Sequence, residues 1–173
     1  REEEFFNDSF QPAAIVKIRS GLNPEGLIRY WDYRVYFAGE RGAAAFYDLP
    51  AHRTSVHGSW WGGPGVHPFD TGTWRAPAAN TNTFARESHL DVMAAAAKID
   101  PLVFRMNHLK NRRMRRVLER AAETFAWKDF SPGPGRGKGA ACSDYLGTYV
   151  AAMAEVEADP KLGDVRVKRI VCA

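Results

Sequence analysis

The chain has 173 residues, 45% of them hydrophobic and 25% charged, with a formal net charge of +4. That length suits one domain with a real core, and so mild a charge specifies no partner. Two cysteines, Cys142 and Cys172, exclude a disulfide framework and a cysteine-rich zinc site.

The acidic start Arg1-Glu2-Glu3-Glu4 is the reverse of a basic signal peptide, so no targeting segment is read here. Residues 13–19 and 27–37 are β-rich, and the turn formers Gly21-Leu22-Asn23-Pro24-Glu25-Gly26 between them predict a β-hairpin. Residues 38–73 show no period and read as a long site loop or insertion, with Gly62-Gly63-Pro64-Gly65 and His52, His57 and His67. Helical signals start near Phe84, where Leu90, Val92, Met93 and Ala94 to Ala97 predict a small-residue helix. Asp100-Pro101 reads as an N-cap with proline at the first helical position, opening a second helix through His108. In the third helix Met114, Val117, Leu118, Ala121, Ala122 and Phe125 recur at three- and four-residue steps. Trp127 and Ser131-Pro132-Gly133-Pro134-Gly135 close it. From Lys138 the pattern is β again, and residues 149–157 and 165–171 flank a turn as a second hairpin. The expected fold is α+β, two β-hairpins flanking three short helices in one domain over residues 1–173. No run of about 20 apolar residues occurs, so no membrane span is expected. Without an initiator Met, and with a strand-like stretch running to Ala173, the chain reads as a piece of something longer, or as one polypeptide of an assembly that supplies the rest.

Several groups invite a chemical reading. Arg112, Arg113, Arg115, Arg116 and Arg120 could grip phosphates, yet glutamates share the helix and no aromatic stacking series accompanies it. They read as a solvated face, and no nucleic-acid partner is expected. In Gly133-Pro134-Gly135-Arg136-Gly137-Lys138-Gly139, Pro132 holds the place of a phosphate loop's first glycine and Gly139 that of its Ser/Thr, so that motif fails. The three loop histidines and Asp70 match no usual zinc spacing, and they read as surface or hydrogen-bonding residues with no metal site assigned. Ser59, His57 and Asp70 could form a nucleophilic site only on paper, since no Gly-x-Ser-x-Gly elbow frames them. Trp60 and Trp61 either line a pocket for a flat aromatic group or pin the loop. Both cysteines are expected to be buried, reduced thiols.

Trp74-Arg75-Ala76-Pro77 followed by Phe84 and Glu87, then Leu90-Asp91-Val92-Met93-Ala94, Asp100-Pro101-Leu102-Val103-Phe104-Arg105 and Asn107-His108-Leu109, forms an ordered series. It resembles the molybdopterin-binding large subunit of molybdenum hydroxylases, the xanthine dehydrogenase and aldehyde oxidase family, nearest the isoquinoline 1-oxidoreductase β-subunit type. Arg1-Glu2-Glu3-Glu4-Phe5, Gly21 to Gly26 and Val167-Lys168-Arg169-Ile170-Val171-Cys172-Ala173 extend the resemblance along nearly the whole chain.

The resemblance implies a partial molybdopterin-binding domain of an enzyme that oxidises aromatic N-heterocycles or aldehydes with water as oxygen source. It implies molybdenum on a pterin in the cytosine dinucleotide form, the remainder of the large subunit as partner, and a small 2Fe-2S subunit carrying the electrons away. By position, Arg75 and Ala76 would lie against the cofactor and Pro77 would face the substrate. Ala76 and Pro77 stand where xanthine-oxidising relatives place Gly and an aromatic. The family's catalytic glutamate belongs to a Gly-x-Gly-Glu segment that this sequence lacks, so no catalytic residue is assigned and the chain alone is expected to be inactive. Glu87, read as lying at a helix start, is expected to be a structural carboxylate favoured by the helix dipole. No compartment is assigned, bacterial cytoplasm and periplasm both being open. The rival expectation is a non-catalytic remnant or interaction domain that keeps the local fold.

Overall fold

Asn23, Pro24 and Gly26 fold β1 (Ile15–Leu22) back onto β2 (Ile28–Tyr36) as the expected antiparallel hairpin. The Asn23 side chain accepts from the Leu27 N–H at 2.7 Å, and Gly26 supplies the positive φ of the turn. The computed structural model describes residues 8–60, 67–72 and 74–173. The acidic segment at Arg1 to Phe5, Trp61, the Gly62-Gly63-Pro64-Gly65 run and Thr73 lie outside the described residues.

Within residues 38–73, expected to be irregular, a third strand β3 (Ala51–His57) pairs with β2 in parallel, from Tyr30↔Ala51 to Tyr36↔His57. A parallel neighbour requires a long connection, here residues 37–50. Its sequence carries few apolar residues because β3 is an edge strand with mostly exposed or half-buried side chains.

The helical region comprises α1 (Ala79–Ala97), α2 (Pro101–Asn107) and α3 (Arg112–Phe125). Helix α1 begins before Phe84 and is 19 residues long, and Phe84 and Val92 point outward at 76% and 61% exposure. Asp100 caps α2 as expected, its carboxylate accepting from the Leu102 and Val103 N–H groups with Pro101 in the first turn. Asn111 caps α3 in the same manner, through Arg113 and Met114. Met114, Leu118, Ala121 and Phe125 form the buried stripe of α3, and each large side chain sealed there contributes roughly 1.5–3 kcal/mol.

The second hairpin is present, β5 (Thr148–Asp159) against β6 (Asp164–Cys172), and β4 (Arg136–Tyr145) extends it into an antiparallel meander. Leu146 and Gly147, both at positive φ, make the tight β4–β5 turn. Gly135 is confined to glycine, since at its φ of +71° a Cβ would lie 2.2 Å from the Ala158 carbonyl oxygen. The fold is therefore α+β, with each predicted hairpin enlarged to a three-stranded sheet. Trp31, Tyr33 and Val35 of the first sheet, Leu90, Phe104, Met114 and Leu118 of the helices, and Ala151 and Met153 of the second sheet share one core. Cys142 is in that core, but Cys172 is exposed, because its side chain lies on the far face of edge strand β6.

Candidate functional site

Residues 74–78 lead into α1 through an unusual backbone. Ala76 and Ala78 have φ of 57° and 61°, a left-handed conformation that costs an alanine about 1 kcal/mol or more and persists only where surroundings enforce it. Ala78 has no capping side chain. The loop supplies the caps itself: Ala79 N–H donates to Pro77 O at 2.7 Å and Asn80 N–H to Ala76 O at 3.1 Å. Trp74 is 69% exposed, Arg75 is also exposed, and Ala76 and Pro77 are half-buried. Ala76, Ala79, Asn80, Thr83, Phe84, Ser143 and Tyr145 line an open hollow of about 430 Å³ beside this loop. Thr83 and Ser143 meet across its floor at 3.1 Å.

The helix that the loop enters is anchored to the core by polar residues on its buried face. Asn82, Arg86, Glu87 and Leu90 follow one another at helical spacing, and all are at most 4% exposed. Asn82 donates to Gly39 O (3.1 Å) and Arg41 O (2.9 Å) and accepts from the Tyr33 hydroxyl at 2.7 Å. Arg86 donates to Gly42 O at 2.7 Å and Cys142 O at 3.3 Å, and its guanidinium lies 4.5 Å over the Phe46 ring.

Glu87 joins these strands of contact. Its carboxylate accepts from Arg86 Nε (3.1 Å), Arg105 Nε (3.0 Å), the Tyr47 hydroxyl (3.0 Å) and the Cys142 N–H (3.1 Å). Arg105, fully buried, also donates to Asp91 at 2.6 Å, to Glu87 O and to Pro101 O. Two guanidiniums thus face two carboxylates, which is what allows charge into a core. Burial pulls the Arg105 pKa down, but Glu87, Tyr47 and Asp91 outweigh it and the net shift is upward. Burial, then the Glu87 charge, raises Tyr47 well above its usual range and pushes the Cys142 thiol up to about 12. The expectation that Glu87 is structural holds, for a different reason. It is the ninth residue of α1, not at a helix start, so ion pairs rather than the dipole hold its charge.

The remaining groups stand apart. His52 Nδ1 bonds Leu49 O at 2.9 Å, His57 stacks on Tyr36 at 4.7 Å, and His67 stacks on Phe69 at 6.2 Å. Arg112, Arg113, Arg116 and Arg120 are exposed, whereas Arg115 reaches back to the Met106 and Leu109 carbonyls that end α2. Arg136 to Gly139 form the start of β4, and Lys138 sits 4.0 Å over the Trp127 ring. Trp60 packs on Gly39 and beneath Arg41, an anchoring role for that ring. Missed from sequence were Asn82, Arg86 and Tyr47. For the first two the signal was a pair of polar residues four apart on one helix face, which apolar periodicity does not register.

No protein-family model matches the sequence. Over 99% of its length the chain is 24% identical to a nicotinate dehydrogenase subunit from Pseudomonas putida, of which it spans 17%. Its fold matches a part of the aldehyde oxidoreductase from Desulfovibrio desulfuricans with a TM-score of 0.52 and 15% identity, covering 89% of this chain and 20% of that one. The chain therefore spans about a fifth of the length of the proteins it matches. The chain is thus similar end to end to a dehydrogenase subunit and shares its fold with a part of an aldehyde oxidoreductase, the kind of protein that the ordered Arg75-to-Leu109 motifs resemble.

Proposed function

We propose that residues 74–78 form one wall of the molybdenum–pterin site in a hydroxylase of the isoquinoline 1-oxidoreductase type, acting on aromatic N-heterocycles or aldehydes. The observation that carries this reading is a projecting loop with two alanines at positive φ, leading into a helix that a buried ionic clamp anchors to the core. Such backbone strain is a feature of sites that must present groups in a fixed geometry.

The residues present fit a flat anionic group. Ala76 and Ala79 leave space beside the exposed Phe84 ring, and Arg75 offers a guanidinium free of the core clamp. When bound, the molybdenum–pterin group supplies two-electron oxidation of substrate with water as oxygen source. Arg75 donates hydrogen bonds toward it, Ala76 brings the backbone close because it has only a methyl group, and Pro77 gives the substrate side a rigid apolar edge. Glu87 takes no part in proton transfer, its oxygens being engaged by four donors. The acid–base residue belongs to the rest of the large polypeptide, and the present segment alone is inactive. The cytosine dinucleotide form of the pterin and a separate 2Fe-2S subunit as electron exit complete the proposal.

The test uses the whole assembly from its natural source. Intact mass well above the 19.3 kDa of this chain, with molybdenum found by elemental analysis, is expected. Arg75→Ala in that assembly is expected to slow substrate oxidation about 100-fold, the scale of a small misplacement at a reacting centre. An assembly without molybdenum would sink the proposal.

A further inference from the structure

An antiparallel sheet with one face on a core and the other in water carries apolar residues inward and charged residues outward. The second sheet keeps that pattern at Ala140, Cys142, Ala151 and Met153 and reverses it beyond them. The charged residues Lys138, Glu155, Glu157 and Arg169 lie on the face shared with Met153 and turned toward α3, where Lys138 covers Trp127 and Arg169 reaches the Thr124 and Phe125 carbonyls. Lys168 at the β6 bulge also turns to that side, pairing with Glu157 at 3.2 Å.

The far face carries no charge at all. By register, away from the β4–β5 turn, it presents Gly137, Gly139 and Ala141 of β4, Ala152, Ala154, Val156 and Ala158 of β5, and Val165, Val167 and Ile170 of β6, while at the turn end Ser143 and Tyr145 meet Thr83 and Arg41. Val165, Val167 and Ile170 are 65%, 60% and 60% exposed. Glycine and alanine make a flat floor, and the β6 valines and isoleucine make a raised apolar wall along one side. A single exposed valine is ordinary, but a whole sheet face of this composition marks a buried contact. The floor permits another layer to pack at about 10 Å, the usual spacing of stacked layers.

We propose that the far face of the β4–β5–β6 sheet is the seat of an apolar layer from the remaining large-subunit polypeptide, making this sheet the middle of three layers. This rests on the reading under Proposed function. The matched relative has chain enough for such a layer, since this segment accounts for only 17% of it. The uncharged surface further calls for an apolar occupant, because a charged partner would be desolvated there without a counter-charge.

Thiol labelling of the whole native assembly tests the assignment. Val167→Cys places a probe in the middle of the β6 wall of the face, and Cys172 is a natural one near the end of the same strand. Both are expected to react at least tenfold more slowly in the folded assembly than after urea unfolding, at a rate independent of protein concentration. Rates equal in the two states overturn the proposal. Protection that appears only as the concentration rises, in step with a doubled mass by light scattering, assigns the face to a second copy and also overturns it. Molybdenum measured on the same sample separates the two readings: protection without metal sustains the seat and sinks the proposed function, and metal without protection does the reverse. If Val167→Cys prevents assembly while Val92→Cys, an exposed site on α1, does not, the face is required for assembly and the proposal stands.

Discussion

Glu87 accepts from two arginines, a tyrosine and a backbone N–H with almost no solvent in reach. Glu87→Gln keeps the shape but leaves Arg86 and Arg105 short of a counter-charge, and breaking one side of a buried pair costs about 3–5 kcal/mol. The urea midpoint of the subunit should fall accordingly; a loss under about 1 kcal/mol would show that solvent reaches the clamp. Cys142 makes a second residue-scale prediction. Its folded pKa of about 12 lies above the ordinary thiol value of 9.0, so the native state holds the thiol proton more tightly than the unfolded chain does. The resulting stability is complete below pH 9 and is lost as pH rises from 9 toward 12. In the folded protein Cys142 should therefore resist alkylation near pH 9 and react on unfolding; rapid native labelling would contradict its burial.

The elements differ in how openly their sequences declare them. Asp100-Pro101 was legible because an N-cap is a local device, and the structure adds that the same carboxylate accepts from Trp127 Nε1 at 3.1 Å. Asp100→Ala should cost about 1–2 kcal/mol through the lost cap, read as a lower melting temperature; no shift would mean that the α2 N–H groups find other partners. Helix α3 was equally plain, since its buried stripe is apolar. Helix α1 was half-legible. Leu90 and Met93 announced its second half, but the first half buries Asn82, Arg86 and Glu87, so its start at Ala79 escaped a reading based on apolar spacing. Strand β3 escaped for another reason: its partner β2 is distant in sequence and parallel, so no local turn points to it.

At the scale of the molecule, the succession of hairpin, helices and hairpin was enough to give an α+β fold, because each hairpin is closed by its own turn residues. Strand β3 and the clamp under α1 depend on long-range pairing and could not be read locally, whereas β4 showed in the β pattern from Lys138 and turns directly into β5 at Leu146-Gly147. The proposed function rests on the order of motifs around Arg75, while no local pattern brings Gly42, Tyr47, Arg105 and Cys142 together around one carboxylate and its arginine neighbour. That convergence also limits how this sequence can drift. A lineage that lost Glu87 alone would leave Arg86 without a carboxylate and Arg105 with only the half-exposed Asp91, and one that lost Arg105 alone would leave Glu87 with a single arginine, so either change taken singly is a valley. Replacement of the ionic set by packed apolar residues is open to it only as a concerted change, because a fully apolar substitute of similar volume can be as stable as the ions it replaces.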